Sequence, residues 1–404
     1  MRCGERRSGY SRGMRRIALA ILMLLAVPAL RAEPIAKGQI VDKVVAASDA
    51  EMTYAVYLPS AYAAERKWPV VFVLDPRRRG AFAAELFREA AEEYGWIVIS
   101  SNNTESDSAN APNTRALQAM FADAPSRFSI DERRIYLAGF SGTANLAFSV
   151  AEATKGTIAG VIGCSGWLPQ TWRPHDPGFA WFGTAGNLDF NYLETRSIDE
   201  RLASAHANHR VEFFAGSHRW APKELLAQSV AWMELQAMRA GTRPPDAALV
   251  SRLLDADVAA ARIEPDALTA TRRFDAIART FDGLADVNAF RVHAAELSQS
   301  DAVKKALAEE RRATDLENSN RDRLPAVVSA FLQSDEPPVA GDLARRLGIN
   351  YLQSIAKDQS RRGLAAQRVL ESIYAQVGYY LPQQVHGPKL VTLQNVAAMI
   401  HPPH

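Results

Sequence analysis

Eight short apolar runs between residues 38 and 240 restrict the fold of this chain more than any other feature. Runs such as VVFVL at residues 70–74 and RIYLA at residues 134–138 are mostly apolar, and helical patterns separate them. A strand that is apolar on both faces needs helices on both sides of its sheet, and alternation of strands and helices builds such a sheet. The sequence therefore predicts an α/β sandwich with a mostly parallel sheet.

The pattern changes near residue 241. Before it, strands are predicted at residues 40–46, 52–58, 70–74, 96–100, 134–138, 158–163, 179–183 and 210–214, and helices at 81–94, 145–152, 193–207 and 223–238. After the GTRPP stretch at residues 241–245 strand patterns stop, and helical spacing of apolar residues predicts helices at 246–261, 266–280, 286–298, 302–316, 325–333 and 363–376. We therefore predict an α/β domain over residues 38–240 and an all-α helical domain over residues 246–404. Residues 341–402 loosely resemble tetratricopeptide repeats.

The first 32 residues have the order of a secretory signal peptide. Arg15 and Arg16 precede eleven mostly apolar residues at 17–27, and small residues follow up to Ala32. Eleven residues at about 1.5 Å each cover only roughly half of a bilayer core. We therefore predict a signal peptide over residues 1–32, a periplasmic or secreted protein and no membrane anchor after processing, with Met1 or Met14 as the start.

The positive net charge comes from this leader. Residues 1–32 have seven arginines and one acidic residue, a net +6, whereas the whole chain is +2, so the remainder is −4. A mildly acidic chain is a poor electrostatic match for a nucleic-acid backbone, and we expect no nucleic-acid partner. Beyond the leader Cys164 is the only cysteine, which excludes an internal disulfide, and we interpret it as a small buried residue.

The segment RIYLAGFSGTAN at residues 134–145 has the order strand, Gly-Phe-Ser-Gly-Thr turn, helix. This order is close to the nucleophile elbow, in which a serine projects from a tight turn. The helix that follows directs its free N–H groups at the site, so the Gly142 amide can stabilise an oxyanion. The sequence therefore predicts Ser141 as nucleophile, with a tight structural turn as the alternative.

A serine nucleophile needs a histidine base and an acid, which follow in this chain order in such folds. His218 lies just after the last predicted strand, in a short loop of small residues that can return over the sheet. Asp189 is the only carboxylate in the loop after the preceding strand. We predict His218 as base and Asp189 as acid; the alternatives are a loop histidine with local contacts and an aspartate that caps the next helix.

The loop after the strand at residues 70–74 should supply a second oxyanion donor. Pro76 has no N–H, so the sequence predicts the amide of Arg77. The run Arg77, Arg78 and Arg79 lies at the predicted mouth of the site and is predicted to bind an anionic substrate group, with a solvated charge run as the alternative. Trp167 is predicted to form a wall of the substrate pocket, with ordinary packing as its alternative.

Taken with RIYLAGFSGTAN, GNLDFNY and FFAGSHRW, residues 68–235 resemble the α/β-hydrolase superfamily, and within it the exported polyhydroxybutyrate-depolymerase-like and dienelactone-hydrolase-like esterases. The resemblance covers roughly half of the chain. It implies a triad of Ser141, Asp189 and His218, ester hydrolysis through an acyl-enzyme, a small-molecule or polymeric ester substrate, and neither cofactor nor metal. Thr143 stands where most elbows have glycine, and Asp75-Pro76 stands where many relatives have His-Gly.

Three functions fit these residues. The first is an exported serine esterase, and the second is a serine peptidase of the same fold and triad. The third is a catalytically degenerate hydrolase that serves as a protein-interaction module. We expect the helical domain to bind a protein partner or present substrate, and a chain that ends near Arg243 to retain hydrolysis; a helix that covers the open pocket is the alternative.

Overall fold

The structure is a computed structural model that describes residues 35–106, 108, 111–169 and 172–402. The predicted signal peptide and Cys3 therefore lie outside the described residues. Among the described residues, no helix has the length and hydrophobicity to cross a bilayer.

One eight-stranded sheet organises the first half of the chain. Its strands are β1 (Ile40–Ala46), β2 (Asp49–Tyr57), β3 (Trp68–Leu74), β4 (Ile97–Ser101), β5 (Ile130–Phe140), β6 (Gly160–Cys164), β7 (Ala180–Gly186) and β8 (His209–Phe214). The spatial order is β1-β2-β4-β3-β5-β6-β7-β8; β2 is antiparallel to both of its neighbours, and every other pair is parallel. This order, with an antiparallel second strand, is that of the α/β-hydrolase fold, and the predicted fold class is confirmed.

Helices cover both faces of the sheet, as the apolar strands require. They are α1 (Gly80–Tyr94), α2 (Asn113–Arg127), α3 (Gly142–Ala153), α4 (Tyr192–Ser204) and α5 (Lys223–Arg239). Helices α1 and α5 share one core with one face, and α2, α3 and α4 share a second core with the other. Helix α2 was not predicted from the sequence, because seven polar residues among its fifteen and the internal Pro125 obscure its helical pattern.

The described residues of the second half form helices joined by loops, with no strand. Its helices are α6 (Ala247–Arg262), α7 (Ala267–Thr280), α8 (Asn288–Ser298), α9 (Asp301–Gln333), α10 (Ala340–Leu347), α11 (Ile349–Ile355), α12 (Arg361–Tyr374), a π-helical turn (Ala375–Tyr380), a 3₁₀ turn (Leu381–Gln383) and α13 (Pro388–Ile400). The prediction of two helices between residues 302 and 333 was wrong, because α9 continues through Pro325 for 33 residues. Proline costs a helix one hydrogen bond and some strain, and the packing of α9 outweighs that cost. The four helices α10 to α13 differ in length, and the tetratricopeptide likeness stays a prediction.

A hydrophobic core crosses the predicted domain boundary. Leu235 and Met238 at the end of α5 pack in one cluster with apolar side chains of α6, α7 and α8, including Leu249 and Phe274. By contrast, α10 to α13 form a separate core with the end of α9. The first three helices after the boundary therefore continue the packing of the α/β half.

Candidate active site

Ser141 lies at a sharp turn between β5 and α3. Its backbone has φ 56° and ψ −128°, a combination that L-residues rarely adopt and that typically persists at functional sites. The turn is tight: a side chain on Gly139 would bring its Cβ to 2.3 Å from the carbonyl oxygen of Thr143. Gly139 therefore permits the close approach of strand and helix, and the structure has the geometry of a nucleophile elbow.

Thr143 replaces the usual glycine and stabilises the elbow. Its hydroxyl is fully buried, donates to the carbonyl oxygen of Leu74 at the end of β3 or to that of Phe140, and accepts from the amide of Phe140 at 3.1 Å. The departure from the family pattern thus joins the turn to the neighbouring strand.

Ser141, His218 and Asp189 form one continuous hydrogen-bonded chain. The Nε2 atom of His218 lies 2.9 Å from Ser141 Oγ, and its Nδ1 atom lies 2.9 and 3.1 Å from the two carboxylate oxygens of Asp189. Asp189 is completely buried, whereas the His218 side chain retains 20% of its exposure. The three residues come from the ends of β5, β7 and β8, and the parallel sheet brings these ends to one edge.

Asp189 is held by two further donors. The hydroxyl of Ser165, at the end of β6, donates to Oδ2 at 2.5 Å, and the amide of Asn191 donates to Oδ1 at 2.8 Å. These bonds leave one orientation for the carboxylate, the one that faces His218. No local sequence pattern indicates the role of Ser165, because nothing near it in the sequence shows that β6 ends beside the Asp189 loop.

His218 packs between aromatic rings. The centroids of Phe140 and Phe190 lie 4.7 and 4.2 Å from the centroid of its imidazole. The loop that bears His218 and the loop that bears Asp189 also approach closely, since a Cβ on Gly186 would lie 2.2 Å from the carbonyl oxygen of Gly216. The imidazole is therefore fixed by packing as well as by hydrogen bonds.

The two predicted oxyanion donors differ in availability. The amide of Gly142 begins α3, and no acceptor for it is found among the described residues. The amide of Arg77, in contrast, donates to Asp75 Oδ1 at 2.8 Å. The prediction for Arg77 is therefore not supported: the buried Asp75 carboxylate needs donors, and the Arg77 amide is one of those that satisfy it.

Two of the three predicted substrate-binding arginines are engaged in ion pairs. Arg78 contacts Glu105 at 2.6 Å, and Arg79 contacts Asp75 at 2.9 Å. Trp167 is 37% exposed and lines a cavity of about 330 Å³ between α4 and α9, which neither Ser141 nor His218 lines. Arg79 borders a different cavity, together with His218.

The helical half contacts the Asp189 loop directly. Arg368 of α12 donates through Nη1 to the carbonyl oxygen of Asn187 at 2.8 Å, and its guanidinium lies 4.2 Å from the ring centroid of Tyr192. It also bonds the buried carboxylate of Glu317 on α9. This contact spans 181 residues of sequence, and no local pattern could have indicated it.

Two other kinds of reactive site, a cysteine nucleophile and a metal site, are not found among the described residues. Burial raises the pKa of the Cys164 thiol to about 11, so the reactive thiolate is scarce at neutral pH. No group of three or more His, Cys, Asp or Glu side chains in the described part of the chain has the geometry to hold a metal ion.

No family model and no curated protein matches this chain. Similar solved structures include an S-formylglutathione hydrolase of Staphylococcus aureus (14% identity, TM-score 0.39, 50% of this chain and 99% of that one). Another is an esterase of Rhizomucor miehei (12% identity, TM-score 0.41, 55% of this chain and 97% of that one). A third is a dipeptidyl peptidase 4 of Porphyromonas gingivalis (13% identity, TM-score 0.35, 48% of this chain and 35% of that one). The similarity concerns the fold, which the strand order of the sheet establishes on its own.

Proposed function

We propose that this protein is an exported serine hydrolase that cleaves carboxylic esters, with Ser141 as nucleophile, His218 as base and Asp189 as acid. The observation that carries the proposal is the unbroken chain of hydrogen bonds from Ser141 Oγ through His218 to the buried Asp189. Export is supported by the basic, apolar and small-residue order of residues 1–32.

In the acylation step, Ser141 Oγ attacks the ester carbonyl carbon while its proton moves to His218 Nε2. The carbonyl oxygen becomes an oxyanion, which the Gly142 amide and the positive end of the α3 dipole stabilise. The C–O bond to the alcohol then breaks, and His218 returns the proton to the leaving alkoxide. The products of this half-reaction are a free alcohol and an ester on Ser141.

Deacylation repeats these steps with water. Nε2 accepts a proton from the water as its oxygen attacks the acyl carbon, and Ser141 leaves with that proton. Asp189, held by Ser165 and Asn191, fixes the tautomer in which Nδ1 carries hydrogen and stabilises the imidazolium between the two transfers.

The oxyanion environment favours esters over amides as substrates. Because the Arg77 amide is bonded to Asp75, Gly142 is the donor that supports the oxyanion in this geometry. Loss of one oxyanion donor typically costs about a hundredfold to a thousandfold in rate. Esters are more reactive than amides and tolerate this loss, so we propose a carboxylic esterase rather than a peptidase.

A fluorophosphonate probe tests whether Ser141 is a live nucleophile. We expect labelling of the wild type and of Ser149→Ala, a matched serine control on α3, and no labelling of Ser141→Ala. His218→Asn should also abolish labelling, whereas His206→Asn on the surface should not. Unlabelled wild-type protein would overturn the proposal and favour a non-catalytic binding module.

A substrate panel tests the ester assignment. Wild-type protein should hydrolyse 4-nitrophenyl esters and leave chromogenic peptide amides intact, and Ser141→Ala should hydrolyse neither. Probe labelling combined with cleavage of peptides but not of esters would identify a peptidase instead.

A further inference from the structure

A cavity of about 470 Å³ adjoins His218 on the side of the loop after β3. Its lining is basic and apolar: four cationic side chains, Arg77, Arg79, Arg219 and Lys223, accompany the apolar groups of Phe82, Leu86, Phe140 and Trp220. No carboxylate belongs to the described lining. A cavity of this size beside the base can hold part of a small ester.

Two of the four cations are neutralised by neighbours. Arg79 pairs with the buried carboxylate of Asp75 at 2.9 Å, and Lys223 pairs with Glu85 at 2.7 Å. These two side chains therefore add little net charge to the cavity.

Arg77 and Arg219 are the two that remain. Within the described part of the chain, no carboxylate oxygen lies within 4.0 Å of either guanidinium. Arg219 instead donates to the carbonyl oxygen of Ala215 at 3.1 Å, lies 5.7 Å from the ring centroid of Phe214, and lines the same cavity as His218. Among the described residues, the cavity beside His218 thus has two exposed cationic side chains without a carboxylate partner.

We propose that the ester substrate carries a negatively charged group, and that Arg77 and Arg219 bind this group in the cavity while an apolar part contacts Phe82 and Leu86. A guanidinium binds carboxylate or phosphate through two parallel hydrogen bonds, which suits such a group. The inference rests on the proposed ester hydrolysis. Of the three arginines for which the sequence predicts anion binding, Glu105 and Asp75 occupy the charges of Arg78 and Arg79, so the role stays with Arg77. The structure adds Arg219, which the sequence pattern did not indicate.

Matched substrate pairs test the inference. The acyl-side pair is the 4-nitrophenyl monoester of adipate against 4-nitrophenyl hexanoate, and the alcohol-side pair is 3-acetoxybenzoate against phenyl acetate. For one of the pairs, wild-type protein should have a higher kcat/KM on the charged member. Arg77→Gln and Arg219→Gln should each lower that charged-to-neutral ratio about tenfold, the effect expected for one charge-assisted hydrogen bond.

Arg262→Gln is the charge-matched control. Arg262 is exposed at the end of α6 and does not line the cavity, so its removal changes the net charge but should leave the ratio within about twofold of wild type. Benzoate and phenyl phosphate, as competitive inhibitors, tell whether the site prefers carboxylate or phosphate. Equal ratios in wild type and both variants, with no inhibition by either anion, would overturn the inference.

A missing anion site can be distinguished experimentally from a missing hydrolase activity. If neither probe labelling nor hydrolysis occurs, calorimetry with benzoate and phenyl phosphate on wild type and both variants still measures the anion site. Binding that weakens in Arg77→Gln and Arg219→Gln supports the site, and absence of binding overturns it.

Discussion

Arg368 is expected to position the Asp189 loop from the helical half of the chain. Its guanidinium is 7% exposed, bonds the buried Glu317 and donates to the carbonyl oxygen of Asn187. Asn187 in turn accepts from the amide of Gly216 at 3.1 Å and donates to the carbonyl oxygen of Phe214 at 2.8 Å, in the loop that leads to His218. A substitution at Arg368 should therefore alter the positions of both the Asp189 loop and the His218 loop.

Arg368→Met removes the guanidinium and leaves Glu317 buried without its partner. Breaking one side of a buried ion pair costs roughly 3–5 kcal/mol of stability. The double variant Arg368→Met/Glu317→Leu removes the stranded charge as well, and such an apolar replacement is often close to neutral. It should therefore restore most of the stability while it still lacks the bond to Asn187.

The stability loss in Arg368→Met should depend on pH. Burial already raises the pKa of Glu317, so the folded protein binds this proton more tightly than the unfolded chain does. Stability from this group is therefore present at low pH and falls as pH rises through the raised pKa. Without Arg368 the pKa rises further, and the stability difference from wild type should be larger at about pH 7.5 than at about pH 5.5.

The assays are urea unfolding at the two pH values and ester hydrolysis by the double variant. Loss of a hydrogen bond from a charged donor is worth about 1.5–3 kcal/mol, so kcat should fall about tenfold or more, with a smaller change in KM. Arg368→Lys should keep stability better than Arg368→Met but not restore kcat, because a single ammonium group cannot reproduce the planar contacts.

Arg362→Met, on the exposed face of the same helix, is the matched control and should change neither the free energy of unfolding nor kcat. A double variant with wild-type stability and wild-type kcat would refute the positioning role. If Arg368→Met loses the same free energy of unfolding at the two pH values, the predicted contribution of Glu317 to the pH dependence of stability is refuted.

Three further predictions concern the site and its support. Ser165→Ala should lower kcat about tenfold or more, because Asp189 loses a hydrogen bond to its charged form, and steady-state kinetics on a neutral ester will show it. Thr143→Val should lower the free energy of unfolding by about 1–3 kcal/mol in urea titration, since the buried elbow loses its hydroxyl partner. Truncation after Arg243 should yield poorly folded or inactive protein by circular dichroism and esterase assay, contrary to the sequence-based expectation, because it removes both the core shared with α5 and the contact from Arg368.

The sequence by itself determined the sheet and the three central residues. All eight strands were predicted within a few residues, because strands apolar on both faces leave few alternatives to a covered parallel sheet. Ser141, Asp189 and His218 each follow a strand in chain order, and parallel strands bring their carboxyl ends to one edge. A local pattern was therefore enough to indicate that these residues meet.

Only the tertiary structure decided which contacts hold the loops at the active-site edge of the sheet, and which charged side chains are unpaired there among the described residues. The sequence shows which arginines are present near the site, but only the structure shows that Asp75 pairs with Arg79 and Glu105 with Arg78, while Arg77 has no carboxylate partner among the described residues. The contact from Arg368 to the Asp189 loop joins residues 181 positions apart, and the core shared by α5 and α6 crosses a Pro-rich segment that reads as a linker. Hydrogen bonds, ion pairs and apolar packing depend on distance in space, and a single sequence records only distance along the chain.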